Sequence, residues 1–159
     1  AQYSHGATWA GWAWAQLGEA ERTKAVFDCL NPVRHSETRE AALAYRVEPY
    51  VVAADIYGVP PYVGRGGWTW YTGAASLTYR LAVEVILGIR RLGRKLEIRP
   101  CLPDRWPGYT ATLAVEGARY RIVVERGTGP AGLYFNGERQ QGSAVPLAES
   151  GDHEIRLVL

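Results

Sequence analysis

A chain of 159 residues is enough for one domain of ordinary size or for parts of two, and its 18 basic and 16 acidic residues leave a net charge of +2. With the arginines spread along the chain, the electrostatic footprint of a nucleic-acid binder is missing. Nor is any stretch apolar for long enough to span a bilayer, because residues 81–89 are interrupted by Glu84. Cys29 and Cys101 stand far apart, without CxxC or histidine spacing. Neither a zinc site nor a disulfide framework is indicated, and both are expected to be buried thiols in a reducing compartment. No signal peptide is visible. The chain contains no methionine, even at position 1, so it is expected to belong to a longer protein.

In chain order, residues 1–18 are rich in Ala and Trp. The spacing of small residues together with Trp9 and Trp12 predicts a buried helix that stops at Gly18. A second helix is expected over 19–30, ended by Asn31-Pro32. A third is expected over 36–45 with Ser36 as its N-cap. Residues 48–57 fit helix or strand on propensity; the lack of period-two alternation among Val51, Val52, Asp55 and Ile56 favours helix, stopped at Gly58-Val59-Pro60-Pro61. A long helix over 69–87 is predicted to carry Ala75, Tyr79, Ala82, Val83 and Ile86 on one stripe.

Near Gly93 the periodicity becomes two. Residues 95–99, 110–115, 118–126, 132–135 and 153–159 read as strands. Between them lie turn signals at Pro103-Asp104, Pro107-Gly108, Glu116-Gly117, 127–129 and Asn136-Gly137. Of these, Asn136-Gly137 is the strongest hairpin signal. The basic cluster Arg90, Arg91, Arg94 and Lys95 is expected to be a solvated helix end and turn. Two domains follow from this reading: an unfinished set of helices over 1–92 and an all-β module, a small antiparallel sandwich, over 93–159.

The segment 60–73, PPYVGRGGWTWYTG, concentrates glycines, aromatic rings, Arg65 and Thr72 in one bend. Glycine-rich backbone brings N–H groups close to an anion. It is no Walker loop, since no GK[ST] follows the glycines. The plainer alternative is a tight turn that needs positive φ at Gly64, Gly66 or Gly67. His5, between Tyr3 and Trp9 at a helix start, is either a satisfied core or capping residue or an anion ligand. Carboxylates fit for acid work are few: Glu37, Glu40, Glu48, Asp55 and Glu84. Glu48 precedes Pro49, where capping is as good a reading as function, and no pair is forced onto a shared site. There is no Ser/His/Asp order and no nucleophile elbow. Most tryptophans are expected in the core, with Trp68 or Trp70 as a sugar-stacking candidate.

The blocks QYSHGATWA, CLNPVRHS, YRVEPYVVAADIY, PPYVGRGGWTWYTGAAS and LEIRPCLPDRWPGY occur in this order over residues 2–109. Together they resemble the C-terminal part of glycoside hydrolase family 94. Within that family the sequence is similar to the phosphorylase-like module of cyclic β-1,2-glucan synthases and to β-1,2-oligoglucan phosphorylases. The resemblance implies an α+β arrangement in sequential segments, the last helices of an (α/α)6 barrel followed by a C-terminal β-sandwich. It further implies inverting cleavage of a β-glucoside, with inorganic phosphate attacking the anomeric carbon and no other cofactor or metal. By motif, His5, Thr72 and Gly73 would bind phosphate, while Tyr3, Glu48, Arg65, Trp68 and Trp70 are expected to line the substrate.

No residue matches the family's general acid or its phosphate-binding arginine, which lie upstream. No catalytic residue is therefore assigned here, and the isolated chain is expected to be inactive. Its expected partners are a β-glucan oligosaccharide, phosphate and the rest of a parent chain. The expected location is the cytoplasm, or the cytoplasmic side of the inner membrane for a glucan synthase. The competing expectation is a non-catalytic carbohydrate-binding module using Trp68, Trp70 and the β-sandwich, or a purely structural one.

Overall fold

The computed structural model describes residues 1–70, 72–127 and 129–159. Tyr71 and Thr128 fall outside, so the predicted helix start and the 127–129 turn are partly beyond description. The chain divides into two compact units, Ala1–Ile86 and Leu87–Leu159.

The first unit opens with a short strand β1 (Gln2–Tyr3) and helix α1 (Ser4–Gln16). Gly18, at φ 77°, ends α1, with Glu19 N–H donating to Trp14 O at 2.9 Å and Gly18 N–H to Ala15 O at 3.0 Å. Closing bonds of this kind are what a left-handed glycine after a helix permits. The face that α1 buries is not the predicted tryptophan face. Ser4, Thr8 and Gly11 are buried on it, whereas Trp9 is 63% exposed. Small residues at that spacing let neighbouring side chains approach the helix: a Cβ on Gly11 would sit 2.8 Å from Leu81 Cδ2. Helix α2 (Ala20–Leu30) packs on α1 through fully buried Thr23, whose hydroxyl donates toward Glu19 O at 3.0 Å. Cys29, expected to be buried, is exposed near its end.

Three local expectations are corrected. Residues 34–36 form a 3-10 turn, and α3 spans Arg39–Tyr45 with Thr38 rather than Ser36 as N-cap; Ala41 N–H donates to Thr38 Oγ1 at 3.1 Å. No helix forms over 48–57: residues 51–54 have no regular secondary structure and lead into β2 (Asp55–Ile56). Val51 and Ala53 are buried in alternation, and the partners lie far off in sequence. Strand β1 is antiparallel to β2 with Tyr3 opposite Asp55, Ser4 N–H donates to Ala54 O at 2.8 Å, and Gly67 N–H donates to Asp55 O at 2.8 Å on the other edge. Tertiary pairing thus overrides a local propensity that fits either state. Last, helix α4 (Ala74–Arg80) begins later than predicted and continues as a π-helical turn, Leu81–Ile86. Ala74, Thr78, Leu81, Val85 and Ile86 are its buried positions, so that Ile86 of the predicted stripe is buried while Tyr79 is 66% exposed.

The second unit is all β. Strands β3 (Ile89–Leu92) and β4 (Lys95–Ile98) form a hairpin around Gly93, at φ 60°. The basic cluster is therefore a strand pair and its turn, not a helix end. Next come β5 (Gly108–Val115), β6 (Ala118–Glu125), β7 (Gly132–Phe135), β8 (Glu138–Arg139), β9 (Ala144–Pro146) and β10 (Gly151–Val158). Asn136 and Gly137, at φ 50° and 85°, form the two-residue turn between β7 and β8 that the sequence predicts. One sheet has the order β3-β4-β9 and the other β5-β6-β10-β7-β8. The expectation of a wholly antiparallel module is corrected, since β10 runs parallel to β6, with Ile155 opposite Ile122, and antiparallel to β7. Tyr120, Ile122, Val124 and Ile155 lie at or below 1% exposure in the core of this unit.

Candidate functional site

The predicted phosphate ligands come from opposite ends of the first unit and meet. His5 lies in the first turn of α1, a position fixed by the β1–β2 pairing just before it and by Thr8, whose hydroxyl donates to His5 O at 2.6 Å. Its half-buried ring stacks between Tyr3 (centroids 5.9 Å, planes 19° apart) and Trp9 (6.4 Å, 12°). From the far end of the unit comes Gly73, where a Cβ would stand 3.5 Å from His5 Nδ1 and 3.6 Å from Cε1. The imidazole edge therefore faces Gly73 directly. Thr72 Oγ1 accepts the Ala74 N–H at 3.1 Å, which orients the hydroxyl and leaves its own proton to donate.

The glycines of this region differ in what they are for. At Gly66 a Cβ would strike Val47 Cγ2 at 2.4 Å and Tyr45 Cε2 at 3.0 Å, and at Gly67 it would meet Asp55 Oδ1 at 2.2 Å. Close packing demands glycine at 66, whereas at 67 a methyl group would displace the movable end of the Asp55 side chain. Positive φ, the expected reason, is found at Gly64 (φ 83°) but not at these two. Gly73 has an ordinary φ of −70° and only van der Waals distances around its absent Cβ. Its bareness keeps main-chain N–H groups open beside His5 Nδ1, and the Gly73 N–H has no partner among the described residues.

The remaining predicted site residues form two further groups. Arg65 and Trp68 line an open cleft of about 410 Å³ with Tyr57, Tyr62, Gly66 and Gly67. Within it the Arg65 guanidinium lies over the Tyr62 ring at 5.7 Å. Elsewhere, Trp70 Nε1 donates to Glu48 Oε1 at 3.3 Å, and the Trp70 ring meets Tyr50 edge-on at 6.5 Å. Trp70 holds φ 67°, a conformation uncommon for a bulky residue, with its ring 66% exposed. Glu48 starts no helix; it accepts from Trp70. Behind this group the buried Tyr45 phenol donates to Val51 O at 3.1 Å. Burial raises its pKa, the Ala53 backbone lowers it in part, and the charge of Glu48 adds to the rise.

Sequence reasoning found no partner for Asp55, and in the structure its carboxylate lies against the bare Cα of Gly67. The signal was the Gly66-Gly67 pair, whose need for space depends on a strand that was read as helix. Glu84 is accounted for by a two-point ion pair with Arg80 at 3.0 Å. Among the described residues no group of three His, Cys, Asp or Glu is placed to hold a metal, and no helix is long and apolar enough to cross a membrane.

Residues 1–88, which contain all three groups, match the family model "Glycosyl hydrolase 94 superfamily, catalytic domain". The chain is 56% identical over 125 residues to the cyclic beta-(1,2)-glucan synthase NdvB of Rhizobium meliloti (strain 1021), an alignment covering 79% of this chain and 4% of that protein. It is 32% identical over 162 residues to the N,N'-diacetylchitobiose phosphorylase of Vibrio proteolyticus, covering 99% of this chain and 20% of the relative. To the 3-O-beta-D-glucopyranosyl-beta-D-glucuronide phosphorylase of Paenibacillus borealis the identity is 30%, over 62% of this chain and 13% of the relative. The chain belongs to the glycosyl hydrolase 94 superfamily. It spans a fifth or less of the length of these relatives.

Proposed function

We propose that this chain is the C-terminal part of an inverting glycoside-phosphorylase-type module that acts on β-glucans, β-1,2-glucan in particular, and that it supplies the phosphate site. The carrying observation is the approach of the His5 imidazole edge to Gly73, a glycine that neither φ nor packing requires. The names of the relatives, phosphorylases and a β-1,2-glucan synthase, support the substrate class.

In this reading the Thr72 hydroxyl, a backbone N–H at Gly73 and the His5 imidazole donate to three phosphate oxygens. A fourth oxygen stays free to attack the anomeric carbon. Directional donors suit the task, since they hold the anion in line; orientation of this kind can supply about 7–11 kcal/mol of a barrier. As the C–O bond to phosphate forms, the glycosidic C–O bond breaks, and a proton must reach the leaving oxygen from a carboxylic acid. That acid belongs to the remainder of a parent chain, as does the barrel that the helices of the first unit would complete. Inorganic phosphate is the co-substrate and no cofactor takes part. The proposed location is the cytoplasm, or the cytoplasmic face of the inner membrane if the parent is a glucan synthase.

Titration of the 159-residue chain with inorganic phosphate, followed through the His5 ring proton resonances, tests this. A saturable shift in the wild type, abolished in Thr72→Val, is the expected result. No response at His5, or an undiminished one in Thr72→Val, would refute the phosphate site. The same chain is expected not to phosphorolyse β-1,2-glucan. Sugar binding that ignores phosphate and survives changes at His5 and Thr72 would instead favour a carbohydrate-binding module.

A further inference from the structure

We infer that Asp55 is a sugar-recognising residue, its carboxylate lying against Gly67 and placed to accept hydroxyl hydrogen bonds from a glycosyl unit seated in the adjoining cleft lined by Tyr57, Tyr62, Arg65, Gly67 and Trp68. The inference rests on the carbohydrate reading above and adds to it a residue and a subsite. Three segments of chain run side by side here. Strand β2 is central, with Tyr3 opposite Asp55 on one edge and Gly66 opposite Ile56 on the other. Directly opposed residues of antiparallel segments project to the same face. Tyr3, Asp55 and the bare surface of Gly67 therefore share one face.

On that face a Cβ at Gly67 would stand 2.2 Å from Asp55 Oδ1 and 2.8 Å from Cγ. Gly67 has no positive φ, and the three nearest atoms to its missing Cβ all belong to the Asp55 carboxylate. A methyl group at 67 would therefore push the Asp55 carboxylate, the movable end of its side chain, into another rotamer. The half-buried carboxylate receives no hydrogen bond and no ion pair from the described residues.

An acceptor partly withdrawn from water and left without a donor among the described residues is suited to hydroxyl donors, since charge-assisted bonds of this kind are roughly twice as strong as neutral ones. The aromatic rings of Trp68, Tyr57 and Tyr62 supply flat apolar surface for a pyranose, and Arg65 supplies donors for its ring and exocyclic oxygens. Tyr3, opposite Asp55, stacks on His5 and so connects this face to the proposed phosphate ligands. A carboxylate on the sugar side is also consistent with keeping like charge off the phosphate itself.

The test uses the 159-residue chain and sophorose, the β-1,2-linked glucose disaccharide, with cellobiose and N,N'-diacetylchitobiose for comparison. Binding is read by titration calorimetry and ligand-observed NMR. Asp55→Asn and Asp55→Ala are expected to weaken sophorose at least tenfold while the phosphate response of His5 persists. Gly67→Ala, which leaves the carboxylate in the protein but displaces it, is expected to weaken sophorose similarly. In an Asp55→Ala background Gly67→Ala should cause no further loss. Unchanged thermal unfolding separates these losses from misfolding, and the near-isosteric Asp55→Asn decides the matter if the alanine variants fail to fold.

The inference is overturned if Asp55→Asn binds sophorose as the wild type does, or if Gly67→Ala costs the same with and without Asp55, which would mean simple blockage. It is also overturned if the wild type takes up none of the three sugars while His5 still responds to phosphate, an outcome that leaves the phosphate site standing. Intact sugar binding without a phosphate response would do the reverse.

Discussion

Residues 87–159 withdraw Leu96, Ile98, Tyr120, Ile122 and Ile155 almost completely from solvent, and of their large apolar side chains Leu92 and Leu159 are the ones left conspicuously exposed. Residues 1–86 do the opposite with Trp9, Leu17, Tyr50, Trp68, Trp70 and Tyr79, each more than 60% exposed. The β unit uses its apolar residues to hold itself together. The helical unit is held by Leu30, Tyr45 and Leu81 together with small residues, Ser4, Thr8, Gly11, Thr23 and Ala74, and leaves many of its large rings at the surface. An exposed aromatic near a glycine-lined cleft is a contact surface in waiting, whereas a buried one is spent on stability.

The contrast can be broken most forcefully in the β unit. Ile155→Ala removes a fully buried side chain from the central strand and should cost about 2–5 kcal/mol, measured by denaturant unfolding. A loss below about 1 kcal/mol would show that the sheet does not depend on its core in this way. Next in size is Gly66→Ala, which drives a methyl group into Val47 and Tyr45 and is expected to destabilise the helical unit by about 1–3 kcal/mol. Thr38→Ala deletes the cap of α3 and should cost about 1 kcal/mol. Smallest in stability is Gly73→Ala, expected to stay within about 0.5 kcal/mol of the wild type because its φ and its surroundings tolerate a methyl group. The same substitution should abolish the phosphate response of His5. A large stability loss there, or an intact response, would erase the distinction drawn between Gly73 and its neighbours.

What could be read from the sequence follows the same division. The β unit was legible because period-two alternation and the turn pairs Glu116-Gly117 and Asn136-Gly137 are local signals, and each hairpin appears where its turn residues stand. The short strands β3, β8 and β9 were missed, being too brief to establish a period. In the helical unit the termini of α1 and α2 were legible from Gly18 and Asn31-Pro32. Which face α1 buries was not, because tryptophans and alanines alternate around it and the deciding contact, Leu81 against Gly11, comes from 70 residues away. Residues 51–56 failed for a related reason: their strand character resides in partners at 2–4 and 66–68. Of His5, Thr72 and Gly73, named by motif, Gly73 approaches His5 in space. Asp55 escaped because its significance lies in the absence of a side chain at Gly67, which no pattern of side chains reveals.

Strand β10 lies between β6 and β7, parallel to the first and antiparallel to the second. During synthesis the five-stranded sheet must therefore wait, with two inner edges unpaired, for residues 151–158 to reach it. A chain interrupted before residue 151 would hold not a slightly shorter sheet but two separate hairpins, each offering a bare edge to any strand nearby.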